Sequence, residues 1–246
     1  MKILVCISST PDTTSKISFK NEQTEFNTEG VQFILNPYDE WYALVRGLEL
    51  KEQLGGTVTV IHVGPANNDP MIRKALAIGA DDAVRINIHS RSTWTTAKSI
   101  ANYAADQHFD LILTGKETID YQTGEVGAMI AELLDLPFVP FASKMEAAEG
   151  KITCNRDIEG GVEVIEVMLP AVVSAAKGMA EQRIPNMKGI MTAKNKPLTV
   201  IDAIAAPDLA EILSYELPPP KQGVIMIEPD EIEDLVRILH EKEKVI

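Results

Sequence analysis

The residues best suited to chemistry in this chain lie in one loop, GKETIDYQTGEVG at 115–127, which combines glycines with carboxylates. Its glycines let a ligand approach the backbone, and the N–H groups at the start of a following helix can bind one phosphate. Its carboxylates cannot contact phosphate, but they accept hydrogen bonds from ribose hydroxyls and from an adenine amino group. The mixture therefore favours a nucleoside monophosphate over a triphosphate.

Two other interpretations of this loop stay open. Glu117, Asp120 and Glu125 could bind a hard ion such as Mg²⁺ and serve a metal-dependent hydrolase. The loop could also be an acidic surface that contacts only water. Elsewhere the sequence lacks a Walker-type loop, a nucleophile elbow and a G-x-G-x-x-G after the first strand, and His62 is expected to be buried and satisfied. We therefore expect no catalytic residue and no metal site.

A second polar motif, NPYDE at 36–40, begins a predicted helix. Asn36 suits the N-cap and Pro37 the first helical position, and the carboxylates of Asp39 and Glu40 complement the helix dipole. Asn36 and Asp39 could also hydrogen-bond a nucleoside. Because the two carboxylates already occupy the positive end of the helix, they disfavour a phosphate there.

These motifs belong to a predicted α/β fold. Continuous apolar runs predict strands that are covered on both faces: KILVCIS (2–8), TVTVIHVG (57–64), DAVRINI (82–88) and DLILTG (110–115). Helices are predicted between them over 38–54, 70–80, 93–107 and from 126 to Pro137. Repeated strand–helix units indicate a doubly wound, Rossmann-like, mainly parallel sheet, which binds ligands beyond the carboxyl ends of its strands. Those ends carry Cys6, Val63 and Gly115.

The second half of the sequence has a different pattern. Residues 151–169 predict a hairpin with its turn at Glu159-Gly160-Gly161, and 170–176 predict another strand. Residues 177–197 show little periodicity, so they predict a long exposed loop, and long ordered loops tend to be functional.

Beyond about residue 205 the chain is predicted to form an arm. A proline-rich spacer over 216–223 precedes a short amphipathic helix over 230–246, which needs the main domain or another chain to cover its apolar face. We therefore divide the chain into a nucleotide-binding α/β domain, 1–204, and a C-terminal arm, 205–246.

Composition limits the possible partners and location. A net charge of −13 argues against a nucleic-acid partner, because phosphate neutralisation needs clustered basic residues. No apolar run approaches the roughly 20 residues that span a bilayer, so membrane insertion is not expected. The start, KILVCIS, lacks a signal-peptide layout, and the two cysteines, Cys6 and Cys154, are predicted to be buried and reduced. These features favour a cytoplasmic protein.

Several segments, in order and spacing, resemble the β subunit of electron transfer flavoprotein over residues 1 to about 200. They are ILVCIS…PDTT, NPYDE, VGP, IRKALAIGADDA, DLILTGKETID…TGEVG, AELLDLPFV, RDIEGGVEVIEVMLPAVVSA and RIPNMKGIMTAKNKP. The resemblance implies a Rossmann-like fold of the adenine nucleotide alpha hydrolase type. It also implies a heterodimer with an α subunit that holds most of one FAD, and AMP bound to this chain in a structural role. Electrons would pass from acyl-CoA dehydrogenases and similar flavoenzymes to a membrane quinone oxidoreductase.

Carried over by position, the resemblance implies a set of site residues. The implied AMP contacts are Cys6, Asn36, Pro37, Tyr38, Asp39, Val63, Gly115, Lys116, Thr118, Ile119, Asp120, Gln122, Thr123, Gly124 and Val126. Thr13, in the PDTT loop, is expected nearest to the FAD. The family's partner-recognition loop falls on 183–191, with Met187 in the place of its anchoring apolar residue. The implied docking residues are Arg183, Pro185, Met187, Ile190 and Met191.

Two related functions stay open beside the simple electron carrier. Some relatives bifurcate electrons from NADH and bind a second FAD in the β subunit in place of AMP. A standalone adenine-nucleotide-binding protein, similar to universal stress proteins, would share the fold class. The RDIEGG hairpin and the IM-x-AK end of the recognition loop resemble the simple carriers more closely.

Overall fold

The fold is taken from a computed structural model that describes residues 1–88, 92–220 and 223–246. Within these ranges thirteen strands occur: β1 (Lys2–Cys6), β2 (Ser9–Pro11), β3 (Phe19–Lys20), β4 (Glu25–Phe26), β5 (Phe33–Leu35), β6 (Thr57–Val63), β7 (Asp82–Asn87), β8 (Leu111–Gly115), β9 (Phe138–Ala148), β10 (Lys151–Ile158), β11 (Gly161–Met168), β12 (Ala171–Ala175) and β13 (Leu198–Asp202). The α-helices in the same ranges are α1 (Asp39–Leu54), α2 (Asp69–Ile78), α3 (Thr93–Ala105), α4 (Val126–Leu134), α5 (Met187–Ala193) and α6 (Ile232–Arg237). Residues 221 and 222 of the predicted proline spacer lie outside the described residues.

One large sheet forms the centre of the fold. Its strand order is β11-β10-β9-β12-β8-β1-β6-β7-β13. In this spatial order, the seven strands β9-β12-β8-β1-β6-β7-β13 pair in parallel with their neighbours. The other edge, β9-β10-β11, is antiparallel. The chain fills one side of β1 with β6 and β7 and then crosses to β8 on the other side. The predicted doubly wound, mainly parallel α/β fold is therefore confirmed, with its topological switch between β1 and β8.

The core lies on both faces of this sheet. On β1, Ile3 and Val5 pack into the cluster that α1 and α2 cover. Leu4 and Cys6 pack into the cluster that α3 and α4 cover on the other face. Both faces of the strand are buried, which explains why its sequence is a continuous apolar run rather than an alternating one. The two cysteines are free and buried, as predicted.

The antiparallel edge contains the predicted hairpin and one strand that was not predicted. In the hairpin, β10 pairs with β11 from Lys151↔Met168 to Ile158↔Gly161, which confirms the turn position. Strand β9 joins this hairpin to the parallel part of the sheet by pairing with both β10 and β12. Its sequence, FVPFASKMEAA, contains Pro140 and several poor strand formers, so no periodic pattern marks it.

The predicted start of α1 was wrong. The helix begins at Asp39, Tyr38 occupies the N-cap position, and the Tyr38 side chain makes no capping hydrogen bond to the described residues of α1. Asn36 does not cap the helix, because its amide bonds a different loop. Tyr38 has 55% of its surface exposed, whereas Trp41, three residues later, is buried.

The prediction that 177–197 is a loop without helix was also wrong. Helix α5 has seven residues, too few to show a period, and Asn186 caps it by accepting a hydrogen bond from the Gly189 N–H at 2.8 Å. The helix lies so close to α2 that a Cβ on Gly189 would be 2.3 Å from the Ala77 carbonyl oxygen. A tertiary contact, not a local pattern, therefore determines this helix.

The chain forms two compact units. The first comprises Met1–Ile17 and Asn27–Leu213 and holds the large sheet. The second comprises Ser18–Phe26 and Ser214–Ile246, with the β3-β4 pair, α6 and a following π-helix over Ile238–Lys242. The sequence predicted one amphipathic helix over 230–246, and α6 and the π-helix both lie in that region. Among the described residues, no helix combines the length and the apolar character that a bilayer crossing requires.

Candidate nucleotide site and docking surface

A cleft of about 270 Å³ lies between the start of α1 and the loop after β8. Its lining residues are Tyr38, Asp39, Tyr42, Lys116, Glu117, Thr118, Ile119, Gln122 and Lys177. The loop leaves β8 beside the topological switch, where doubly wound sheets bind ligands. Six of the residues predicted to contact AMP thus share one cleft: Tyr38, Asp39, Lys116, Thr118, Ile119 and Gln122.

Asn36 holds the two walls of the cleft together. Its side chain is fully buried, its Nδ2 donates to the Glu117 carbonyl at 3.0 Å, and its Oδ1 accepts from the Ile119 N–H at 3.2 Å. Asp39 also accepts a backbone hydrogen bond from Glu117. Since the amide of Asn36 is engaged with the protein, the structure gives it a role in shaping the loop; a direct nucleotide contact stays a prediction.

Glu40 crosses the gap between α1 and the strand ends. Its carboxyl group accepts from the Ser8 N–H at 2.5 Å and from the Ser8 hydroxyl at 2.8 Å. Gly115 makes room for it, because a Cβ there would lie 2.7 Å from Glu40 Cγ. Burial raises the pKa of Glu40 to about 8 against the opposing effect of the Ser8 hydrogen bonds, and the nearby Asp120 and Asp39 charges raise it further. The site therefore contains a carboxyl group that titrates well above its usual range.

The rim of the cleft carries charges of both signs. Lys116 Nζ lies 3.1 Å from Glu117 Oε1, and Lys177 is a second cation on the lining. Burial raises the pKa of Asp39, and the Lys116 charge opposes that effect. The cleft consequently offers carboxylate acceptors together with ammonium donors, which suits a polar ligand with hydroxyl and amino groups.

The start of α4 offers donors to an anion. Its first turn, 126–128, is uncharged, and the preceding Glu125 carboxylate already accepts from the Thr93 hydroxyl at 2.6 Å. The first N–H groups of a helix lack intrahelical acceptors and attract anions. Beside them the buried Thr114 hydroxyl has no hydrogen-bond partner among the residues described, and a Cβ on Gly127 would be 2.7 Å from it. This donor set fits a phosphate group.

The other predicted AMP contacts do not line the cleft. Cys6 ends β1 and is buried, and burial raises the pKa of its thiol, so it packs as an unreactive apolar group. Val63 ends the neighbouring strand β6, and Gly115 ends β8. Thr123 and Gly124 are exposed, and Val126 begins α4. The two remaining residues are Pro37, which is half-buried, and Asp120, which is exposed.

His62 is buried and satisfied, as predicted. Its Nδ1 lies 2.9 Å from the Ile7 carbonyl oxygen, and its Nε2 lies 2.9 Å from Asn68 Nδ2. Burial lowers its pKa to about 4, and the Arg85 charge contributes to the same direction. The imidazole is therefore neutral at pH 7, donating from Nδ1 and accepting at Nε2.

The Thr13 loop is ordered by its own aspartate. Asp12 Oδ1 accepts from the Thr14 N–H at 2.9 Å and from the Thr14 hydroxyl at 2.6 Å. Thr13 itself is exposed and does not belong to the cleft lining. Its position nearest to FAD stays a prediction.

The three loop carboxylates are directed to different partners. Glu117 pairs with Lys116, Asp120 Oδ1 accepts from the Tyr121 N–H at 2.8 Å, and Glu125 accepts from Thr93. Across the described residues, no group of three His, Cys, Asp or Glu side chains could hold a metal ion. The geometry therefore gives no support to the Mg²⁺ interpretation of the loop.

An exposed apolar surface, here called the recognition patch, consists of Ile184, Met187, Ile190 and Met191. Their exposed fractions are 82%, 74%, 45% and 68%. Arg183 and Pro185 are half-buried, and the Arg183 guanidinium bonds Glu52 at 2.7 and 3.2 Å. Arg183 is thus engaged within the chain, while the other predicted docking residues, Pro185 apart, are open to a partner.

Three lining residues were not among the predicted AMP contacts: Glu117, which the sequence marked only as a loop carboxylate, and Tyr42 and Lys177, which were missed. Tyr42 lies one helical turn after Tyr38 on α1, so the period of the helix could have identified it. Lys177 follows the end of β12, which pairs with β8, so the rule that ligands bind at strand ends could have identified it.

Comparisons with known proteins identify the family. Residues 24–206 match the family model described as "Electron transfer flavoprotein domain". The electron transfer flavoprotein subunit beta of Bacillus subtilis is 37% identical over 261 positions, with 100% of both chains covered. That of Syntrophomonas wolfei is 37% identical, covering 94% of this chain and 91% of its own. The caffeyl-CoA reductase-Etf complex subunit CarD of Acetobacterium woodii is 35% identical, covering 81% and 78%. The chain therefore belongs to the electron transfer flavoprotein β-subunit family.

Proposed function

We propose that this chain is the β subunit of a heterodimeric electron transfer flavoprotein and that it binds AMP structurally in the cleft between α1 and the loop after β8. FAD, held mainly by the α subunit, supplies the redox chemistry. The heterodimer accepts electrons from acyl-CoA dehydrogenases and similar flavoenzymes and passes them to a quinone oxidoreductase. It acts in the cytoplasm, which the two free, buried cysteines support.

The observation that carries this proposal is a polar cleft lined by the loop after β8, the same loop that leads into the uncharged first turn of α4. A nucleoside suits the cleft, because Asp39 can accept hydrogen bonds from hydroxyl and amino groups. A single phosphate suits the first turn of α4, next to the unpartnered Thr114 hydroxyl.

The residues of the chain take separate roles in this proposal. Asn36 keeps the loop in the shape that the ligand needs, and Lys116 neutralises charge at the rim. The loop residues from Gln122 to Gly124, together with Val126, present backbone donors. Cys6 and Val63 pack beneath the ligand at the strand ends. The same proposal divides the chain into a main domain, 1–204, and an arm, 205–246. The arm packs on the α subunit.

An electron-carrier role is consistent with the lack of a catalytic constellation in the sequence. The redox chemistry of such a protein belongs to its cofactor, so the polypeptide needs only to bind, orient and dock. The name of the Acetobacterium relative associates that protein with a reductase acting on a CoA thioester. This supports flavoenzymes of CoA thioesters as redox partners of the present chain, without fixing the direction of electron flow.

The test is the nucleotide content of the purified complex with its α subunit, measured by denaturing extraction and chromatography. We expect one FAD and one AMP per heterodimer. Two FAD and no AMP would mean a bifurcating relative and would overturn the AMP assignment. Homodimers loaded with ATP and lacking flavin would mean a standalone nucleotide-binding protein.

The cleft assignment is tested with Asn36→Ala. Removing the amide releases the backbone of Glu117 and Ile119, so we expect the complex to retain FAD and to lose most of its AMP. Asn67→Ala, which changes an exposed asparagine, is the control and should retain both nucleotides. Full AMP content in Asn36→Ala would show that the loop does not hold the nucleotide.

A further inference from the structure

The segment that carries the recognition patch is held at its first end by α1. The buried indole of Trp41 donates from Nε1 to the Arg183 carbonyl oxygen at 3.1 Å. The Arg183 side chain bonds both carboxylate oxygens of Glu52, at 2.7 and 3.2 Å. Both the backbone and the side chain of Arg183 are therefore bonded to α1. These bonds fix the position of the residue that precedes the recognition patch.

The other end of the segment is held by α2. Arg73 Nη1 donates to the Ala193 carbonyl at 2.9 Å and to the Lys196 carbonyl at 2.6 Å. Lys196 donates in return from Nζ to the carbonyls of Leu76 at 2.9 Å and Ala80 at 2.5 Å. The last carbonyls of a helix have no intrahelical partner, so Arg73 satisfies one at the end of α5 and one just beyond it.

These contacts decide whether α5 exists. Seven residues are far fewer than the roughly 12 that an isolated helix needs, so α5 depends on its attachment to α2. Three of the four patch residues, Met187, Ile190 and Met191, are on this helix. Losing the attachment would scatter them, whereas a fixed arrangement lowers the entropy lost on binding a partner.

We propose that Arg73 is a positioning residue for partner docking: by holding the carbonyls of Ala193 and Lys196 it keeps α5 folded on α2 and the recognition patch in one shape. Arg73 does not contact the partner. The proposal rests on the docking role proposed for 183–191, and it adds that the surface is preorganised rather than formed on contact.

Charge indicates what kind of partner fits. The segment 177–196 has five basic residues and one acidic residue in a chain whose net charge is −13. Arg183 and Lys196 are used internally, whereas Lys177, Lys188 and Lys194 are exposed. The matching surface is an apolar pocket of a flavoprotein dehydrogenase with carboxylates on its rim.

The experiment uses Arg73→Leu in the complete heterodimer. Leucine keeps part of the apolar stem and removes both donors, so hydrogen exchange of the amides over 187–193 should become at least tenfold faster. In electron transfer from an acyl-CoA dehydrogenase, KM for the flavoprotein should rise about tenfold with the maximal rate unchanged. FAD and AMP content should stay at the wild-type level. Arg156→Leu, which removes an arginine paired with Glu163 on the β10-β11 hairpin, is the matched control and should leave both readouts unchanged.

A double variant separates positioning from a general loss of stability. If Arg73 acts through the patch, Arg73→Leu combined with Met187→Ala should raise KM little more than Met187→Ala alone. Arg73→Lys, which keeps one donor group, should restore part of the protection. Unchanged exchange in Arg73→Leu would overturn the proposal, and so would faster exchange with an unchanged KM.

Failure of the proposed function gives a different result. If the wild-type complex accepts no electrons from acyl-CoA dehydrogenases, the docking role is overturned for wild type and variants alike. Faster exchange in Arg73→Leu would then identify Arg73 as a purely structural support of α5.

Discussion

Two buried ionisable side chains hold consecutive residues at the end of β1. His62 bonds the carbonyl of Ile7, and Glu40 bonds the N–H and hydroxyl of Ser8. Burial favours the neutral form of each group, so it lowers the pKa of His62 to about 4 and raises that of Glu40 to about 8. The same physical cause therefore gives the two residues opposite effects on the pH dependence of stability.

The first prediction concerns His62. An unfolded histidine binds its proton near pH 6.5 and folded His62 only near pH 4, so the unfolded state binds more protons between these values. Stability should therefore fall as the pH drops through this window, by about 2 kcal/mol between pH 7 and pH 5. His62→Gln, which has no titrating group, should lack this loss in denaturant titrations of the complex at the two pH values. An equal loss in the variant would contradict a buried neutral imidazole.

The second prediction concerns Glu40. An unfolded glutamate loses its proton near pH 4.5 and folded Glu40 near pH 8, so the folded state binds more protons between these values. Its contribution should therefore decrease stability as the pH rises through this window, by about 2 kcal/mol between pH 5 and pH 7. Glu40→Gln keeps an acceptor for Ser8 and should become more stable relative to wild type as the pH increases.

The two effects oppose each other, so the wild-type complex should show a nearly flat stability profile between pH 5 and pH 7. The Glu40→Gln profile should then rise with pH and the His62→Gln profile should fall. Parallel profiles for all three proteins would mean that neither group titrates in this range.

At the scale of elements, the site depends on how closely α1 approaches β8. Gly115 ends β8, and a Cβ there would be 2.7 Å from Glu40 Cγ and 2.9 Å from the Glu40 nitrogen. The second of these atoms is backbone, so the helix itself would have to move. The cleft walls are the first residues of α1 and the loop after β8. Their separation therefore depends on the absence of a Cβ at Gly115.

The third prediction follows from this contact. Gly115→Ala should destabilise the complex by about 1–3 kcal/mol, the usual cost of overpacking, and should lower its AMP content because the cleft walls separate. Thermal unfolding and nucleotide extraction measure the two effects. Gly161→Ala is the matched control, since a Cβ at Gly161 meets nothing within 4 Å. Equal behaviour of the two variants would show that the approach of α1 to β8 can relax at little cost.

At the scale of the whole molecule, the second compact unit draws on two distant parts of the sequence. Strands β3 and β4 have two residues each, far short of a hairpin that is stable by itself. Tyr215 supplies what they lack: its ring stacks on Phe19 at 4.6 Å and 9°, and its N–H donates to the Gln23 carbonyl at 2.7 Å. The start of the C-terminal segment is thus tied to the 18–26 hairpin.

The fourth prediction tests this tie. Tyr215→Ala removes the stacking partner, so limited proteolysis of the complex should cleave within 18–26 and 214–246 several-fold faster. Tyr215→Phe keeps the ring and should be cleaved at nearly the wild-type rate. The melting temperature of the first unit should be the same in all three proteins. Wild-type cleavage rates in Tyr215→Ala would show that other contacts hold this unit together.

The sequence by itself determined the elements whose pattern is local. The strands β1, β6, β7 and β8 are buried on both faces, and burial on both faces requires an unbroken apolar run, so their sequences identify them. The loop at 115–127 was identified because glycines and carboxylates follow a strand, and the family was identified from the joint order of many short motifs. Each of these signals is contained in residues that are close together along the chain.

The tertiary structure alone decided the features that depend on distant residues. Asn36 bonds a loop 81 residues away rather than capping its own helix, and α5 exists because Arg73, 120 residues before Ala193, holds its end. Lys177 reaches the cleft because β12 pairs with β8. In each case the contact that determines the conformation joins residues far apart in sequence, so the residues that it fixes carry no periodic pattern that would reveal it.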